Sequence, residues 1–329
     1  MKQAPLRLAI LGLLAGQFFV ATPGLIAGTE IGEPATRELI RDPHFERGCK
    51  LYEPKTGRHV EYGTIAGVAK DGKPVWGLAQ WSSREKLLAT PPQTLPSSAL
   101  CYSNAAKAVT FGAPGTADAD ITLAVNGGFE YAGRPRKKGE PWPHLLVEQR
   151  FENPPSLAAL SRAKFHIVAR LKNSRRLDTP GYSPQVHAAT IQIFFTLQNQ
   201  NKQSAGYGQY LWFGVPFYDD RHRIPKSHQA KDGGKEDATG MFIYTVDGKE
   251  FTTQSLHDRE WVTMDKDLLP HMRAGLKTAW QRGFLTDSQS LEDYRISGMN
   301  LGWEVTGIFD VEMQLRDLSL KVTEHSVAR

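Results

Sequence analysis

Several stretches in the second half of the chain alternate apolar and polar residues with a period of two. In residues 190–198 (TIQIFFTLQ), Ile191, Ile193, Phe195 and Leu197 share one face, and Thr190, Gln192, Phe194, Thr196 and Gln198 the other. Residues 206–216 set Leu211, Phe213 and Val215 against Gly208, Tyr210, Trp212 and Gly214. Near the C-terminus, Met299, Leu301, Trp303 and Val305 oppose Asn300, Gly302, Glu304 and Thr306. After Thr306-Gly307 the alternation resumes, with Phe309, Val311, Met313 and Leu315 inward. A period of two is that of a β-strand whose faces meet different surroundings. Strands that are apolar on one face and polar or aromatic on the other build a wet groove over a dry core.

Shorter apolar runs at 62–68, 75–81, 99–102, 107–111, 121–125, 145–151, 165–171 and 261–264 are separated by Gly- and Pro-rich turns such as Asp71-Gly72-Lys73-Pro74. That spacing predicts an all-β antiparallel β-sandwich. Residues 242–246 and 250–253 read as a hairpin joined at Asp247-Gly248, and residues 218–240 as a long loop. One α-helix is predicted over 268–282. There Leu269, Met272, Leu276, Ala279 and Trp280 form a stripe at helical spacing, Asp265 or Asp267 is placed to cap the start, and Gly283 follows the end.

The first residues change the picture of where the protein works. Lys2 and Arg7 precede an apolar run, 8–27, which reads as a secretory signal peptide. Residues 28–56 read as an extended N-terminal arm and 57–329 as the sandwich domain, in a secreted, periplasmic or cell-envelope protein with no membrane span after cleavage. Losing residues 1–27 lowers the 40 basic residues to 38 against 35 acidic ones, a net charge of +3, which points away from a nucleic-acid partner. In an oxidising compartment the two cysteines, Cys49 and Cys101, are expected as a disulfide worth about 4 kcal/mol in the chain-entropy account. A monomer is expected.

The order of strand TIQIFF, strand GYGQYLWFG, helix, and a strand ending in Gly302-Trp303-Glu304 resembles the family-12 glycoside hydrolases over residues 185–320. Those are secreted endoglucanases and xyloglucanases with a concanavalin-like jelly roll. The resemblance implies that Glu304, on a strand led by Tyr294, stands where the family has its general acid/base. The family's nucleophile lies in a Tyr-Glu-x-Met-x-Trp strand, matched here by Tyr207-Gly208-Gln209-Tyr210-Leu211-Trp212. Trp212 takes the place of the sugar-stacking Trp, but Gly208 stands at the nucleophile and Gln192 at its neighbouring Asp. Retaining hydrolysis needs two carboxyl groups about 5–5.5 Å apart, so the resemblance implies the fold and the groove without the family's catalytic pair.

Candidates for a partner to Glu304 are Asp219, Asp220 and Glu148. The first two follow the Trp212 strand directly, and they read equally as a solvated turn paired with Arg221 and Arg223. Glu148 shares a face with Leu146 and Arg150, which also suits a sheet salt bridge. Tyr210, Trp212, Gln192 and Asn300 have groove-side parity, and His187 precedes the 190–198 strand near the groove mouth. His222 and His228 with their acidic neighbours match no zinc or calcium signature, so no metal and no cofactor are expected. The chain is therefore expected to bind, and as an enzyme to cleave, a polysaccharide along the concave face of the sandwich. The alternatives are a non-catalytic, lectin-like protein and a structural envelope protein.

Overall fold

The apolar alternation is spent on two facing sheets. The computed structural model describes residues 35–57, 59–69, 71–112, 119–233 and 238–326, and Pro34–His325 form one compact unit. The expected signal segment lies outside the described residues. One sheet has nine strands, in the order His228–Lys231, Phe242–Thr245, Tyr210–Asp219, Ala189–Asn199, Tyr294–Val305, His144–Arg150, Trp76–Ala79, Cys49–Tyr52 and Glu61–Ile65. The other has eight and is centred on the long strands Leu160–Arg176 and Phe309–Glu324. All but two of the strand pairs are antiparallel: Tyr210–Asp219 runs parallel to Phe242–Thr245, and Cys49–Tyr52 to Trp76–Ala79. Among the described residues, no helix is long and apolar enough to cross a membrane.

The core fills the space between the sheets, as the periodicity predicts. Ile191, Ile193, Phe195, Leu197, Leu211, Phe213, Leu301 and Trp303 are all fully buried. Phe195 meets Phe165 of the opposite sheet edge-on at 5.8 Å. The indole N–H of Trp303 donates to the Leu123 carbonyl across the sandwich at 2.9 Å, so its polar atom is satisfied where its ring is dry. Each such aromatic contributes roughly 1.5–3 kcal/mol by leaving water. The two strands around Thr306-Gly307 belong to different sheets: Tyr294–Val305 lies in the nine-stranded one and Phe309–Glu324 in the eight-stranded one.

The helix spans Leu269–Gln281 and buries Leu269, Met272, Leu276 and Ala279, with Gly283 at φ +80° just beyond its end. The Asp267 carboxylate accepts the Leu269 amide at 3.1 Å, and the same oxygen accepts Ala163 N–H at 2.9 Å, tying the helix start to the eight-stranded sheet.

Three expectations are revised. The hairpin at Asp247-Gly248 does not form. Asp247 instead accepts the Lys249 amide at 3.0 Å and caps a turn of 3-10 helix at Gly248–Glu250, while Phe242–Thr245 pairs with His228–Lys231 inside the supposed long loop. Much of the segment expected as an arm belongs to the sandwich: Thr36–Glu38 and Cys49–Tyr52 are strands of the two sheets, and Leu39, Ile40 and Phe45 are buried. The cysteines are both free thiols. Cys49 faces the core from the nine-stranded sheet. Cys101 belongs to the other sheet, on the opposite face of its strand from buried Tyr102, so the two side chains point apart.

Candidate functional site

Residues paired directly across neighbouring strands point to the same face, so the register of the nine-stranded sheet maps its outer surface. One row across it reads His144, Glu304, Thr190, Asp219; another reads Glu148, Asn300, Phe194, Gly214; a third reads Arg150, Gly298, Thr196, Trp212. These rows floor an open groove of about 1600 Å³. Small-molecule pockets span about 300–1,000 Å³. The larger space suits an extended ligand.

Glu304 is held at one end of the groove, with 21% of its side chain exposed. The Trp142 indole N–H donates to Oε2 at 3.1 Å, and the Gln192 amide donates to Oε1 at 3.3 Å. His144 Nε2 lies 3.5 Å from Oε2. The other ring nitrogen, Nδ1, is 2.9 Å from the Trp142 carbonyl, which only an N–H can serve. That assignment leaves Nε2 facing a carboxylate oxygen. Trp142 stacks on His144 at 5.6 Å, Trp81 meets the same ring edge-on at 5.5 Å, and the Arg136 guanidinium lies over Trp142 at 5.1 Å.

Gly302 makes this floor possible. It lies between Asn300 and Glu304 at φ +155°, and a Cβ there would stand 2.0 Å from the Leu145 carbonyl oxygen. Only glycine allows the two strands to meet at that point, and the floor beside Glu304 stays bare.

The predicted partners fall in different places. Asp219 reaches the groove face because a bulge at Phe217 lets Phe217 and Tyr218 both point to the core. It shares the row of Glu304, two strands away, or roughly 9.5 Å between Cα atoms at the usual strand spacing. Its carboxylate is clamped by Arg221, through Nε and Nη2 at 2.8 Å each and the backbone amide at 3.0 Å. Burial pushes its pKa up, but the bonds and charge of Arg221 outweigh that and hold it below the ordinary aspartate value. Asp220 points away from the groove and accepts the Ala189 amide at 2.7 Å. Glu148 lies on the floor, bonded to His59 at 2.7 Å, but is paired with Asn300, four residues along the strand from Glu304 and about 14 Å from it.

His187 is buried behind the groove. Its Nδ1 accepts the Ser183 amide at 2.8 Å, which leaves Nε2 to donate to the Arg136 carbonyl at 2.7 Å. Tyr210 and Trp212 meet at 88° and 4.9 Å, with Phe194 edge-on to Trp212 at 5.7 Å, at the end of the groove away from Glu304. The Trp212 indole N–H donates to Thr239 Oγ1 at 3.2 Å, and that hydroxyl donates to Asp232 at 2.6 Å. Trp212 is paired through Thr196 with Gly298, six positions from Glu304 or ~20 Å along the strands. Tyr207 and Gly208 precede the strand altogether, in a turn where Gly208 has φ +87°.

The chain is similar in fold to the family-12 glycoside hydrolases. A thermostable cellulase derived from the Cel12A cellulase of Rhodothermus marinus is 11% identical, with 75% of this chain and 99% of that one covered and a TM-score of 0.37. A family-12 xyloglucanase from Bacillus licheniformis is 8% identical over 74% and 99%, with a TM-score of 0.39. A family-11 xylanase from Neocallimastix patriciarum is 8% identical over 68% and 90%, at 0.35. No protein-family model and no curated protein matches the chain. At such identities, and with TM-scores below 0.5, function has to be read from the chain's own residues.

Trp81, Trp142, His144 and His59 line the groove without having been singled out in the sequence; Phe194, which has groove-side parity, and Arg136, whose basic run with Arg134, Lys137 and Lys138 reads as a solvated loop, line it too. The parity that placed Leu146, Glu148 and Arg150 on one face extends back to His144, and Trp142 stands between Pro141 and Pro143, a restricted spot for an indole. Elsewhere, His44, Asp120 and Asp317 bring possible ligand atoms within 4.8 Å of one another at the surface.

Proposed function

We propose that the protein binds a polysaccharide along this groove, with Glu304 as the candidate proton donor if the bound chain is cleaved. One observation carries the reading: an open groove of about 1600 Å³ whose floor offers amides and hydroxyls (Gln192, Asn300, Thr190, Thr196) between aromatic groups at both ends. Sugars present hydroxyls at their rims and C–H faces above and below, so alternating polar and aromatic contacts fit them. Tyr210 and Trp212 supply the platform at one end, and Trp142 and Trp81 at the other. A location outside the cytoplasm, read from the N-terminal apolar run, belongs to the same proposal.

For hydrolysis with inversion, two carboxyl groups about 6.5–9.5 Å apart would admit a water between them. Asp219 is the groove-face carboxylate nearest in register, and its clamp by Arg221 leaves it a weak base. That clamp favours a second reading, a lectin-like protein that binds without cleaving. The two are separated by incubating purified protein with β-glucans, xyloglucan, mannans and acidic polysaccharides. Retention on glycan that is lost in Trp212→Ala supports binding. Release of reducing ends that disappears in Glu304→Gln supports hydrolysis. Retention with no reducing ends leaves the lectin-like reading, and no retention on any polysaccharide overturns both.

A further inference from the structure

The charge of this groove is lopsided. Eight Lys and Arg residues line it against four Asp and Glu, a surplus of four, while the whole chain carries a formal +5. Without residues 1–27 the chain carries +3, so the groove's surplus of four exceeds the net charge of all the rest together, which is −1.

The acids are, moreover, already provided for. Asp219 is matched by Arg221, Glu148 by His59, and Glu304 by the donors of Trp142 and Gln192 with His144 beside it. Asp232 accepts the Thr239 hydroxyl and amide. By contrast Lys73, Arg150, Lys226 and Lys231 line the groove with no carboxylate within 4 Å among the described residues. Their placement is ordered. Lys226 lies on one side, in the segment leading to the outermost strand, and Lys231 borders the groove only from the end of that strand, since its register partner Phe242 faces the core. Arg150 and Lys73 lie on the other side, beyond the central strands Ala189–Asn199 and Tyr294–Val305. Cations therefore stand on both sides of the central strands, whose outer face of amides, hydroxyls and rings runs between them.

We infer that the ligand is an anionic polysaccharide, one whose sugar rings lie over the central strands while carboxylate or sulfate substituents reach the cations on either side. This rests on the polysaccharide reading above and narrows it. A single-stranded nucleic acid also seeks cations and aromatic rings. It fits less well, because its continuous phosphate chain would pass over Glu148 and Glu304 on the floor.

The test uses the full chain and pairs of polysaccharides that differ only in charge. Carboxymethyl cellulose is set against hydroxyethyl cellulose, de-esterified against methyl-esterified polygalacturonan, and a carrageenan against its desulfated form. Affinity electrophoresis at about 50 mM salt is expected to show at least tenfold tighter binding of the charged member. The preference should shrink sharply near 0.5 M, where screening cuts the reach of each charge to a few ångströms. Whether the uronate pair or the sulfate pair shows the larger ratio identifies the substituent. Arg150→Gln with Lys226→Gln, both exposed, should narrow the ratio severalfold, whereas Lys321→Gln on the other sheet should leave it alone. Equal binding of charged and neutral members overturns this inference and leaves the polysaccharide reading standing. Absence of binding to every glycan removes both. Tighter binding of oligothymidylate than of any charged glycan assigns the groove to nucleic acid and overturns the inference.

Discussion

Lys107 and Glu130 form an ion pair away from water, each with 1% of its side chain exposed, and it anchors the loop that carries Trp81 into the groove. The ammonium donates to Ser83 Oγ at 2.6 Å and to the Glu85 carbonyl; Ser83 Oγ donates to Glu130 at 2.5 Å, and the Arg84 amide to its other oxygen at 2.8 Å. Burial pushes the Lys107 pKa down to about 8 from 10.5, against the raising pull of Glu130 and Glu85. Glu130→Gln removes the countercharge and leaves the ammonium buried, a change that costs about 3–5 kcal/mol. The pH dependence separates this cause from simple loss of packing. Because the folded-state pKa lies below the unfolded one, charging Lys107 opposes folding. The penalty is fully present below about pH 8 and fades as pH rises toward 10.5. In the variant the lysine loses its proton more readily still. Urea unfolding at pH 7 should show the full loss, and at pH 9.5 less than half of it. A loss under about 1 kcal/mol at pH 7, or the same loss at both pH values, would refute the argument. Glycan retention should weaken in parallel, since the Trp81 loop loses its anchor.

Two further outcomes follow from geometry already described. The hydrogen bond that the His59 ring N–H donates to Glu148, together with the charge of that carboxylate, raises the His59 pKa above 6.5 against the opposing effect of burial. The pair's contribution to stability is thus present below pH 6.5 and lost as pH climbs through the raised value; an NMR titration of the imidazole should find a midpoint above 6.5 that falls in Glu148→Gln. Mass spectrometry of the unreduced protein should find two free thiols. Cys49, buried and with its pKa raised by that burial and by Asp42, should resist alkylation until the chain unfolds, and a mass two units low would contradict the structure.

Periodicity carried most of the fold. The strand Lys107–Phe111 falls where alternation places it, and Ala189–Asn199 and the helix Leu269–Gln281 lie within a residue or so of the predicted ends, because burial on one face is the dominant constraint in each. Groove-side parity placed Gln192 and Glu304 on one surface for the same reason. What stayed illegible lies at the ends of strands and in loops. Trp142 and His144 reach Glu304 from a segment some 160 residues earlier in sequence, a contact set by register between strands and absent from the pattern within either one. Asp219 gained its place through a bulge, which shifts parity by one residue and leaves no mark in composition. The Asp247-Gly248 hairpin failed because Asp-Gly also caps a helical turn, and Phe242–Thr245 found partners elsewhere in the sheet. Cys49 and Cys101 show the limit of arguing from cell compartment, since a disulfide also needs two side chains that face each other.

The outermost strand His228–Lys231 has a second duty. An open sheet edge offers unpaired amides and carbonyls to any other strand, and a lysine there discourages two copies from joining edge to edge. Gln229 and Ala230 beside it carry no charge. Lys231, exposed at the end of this strand, is the charge that stands against such pairing. Neutralising Lys231 therefore removes the one positive charge that ends this edge strand, and edge-to-edge association of the variant at high concentration is the consequence to look for.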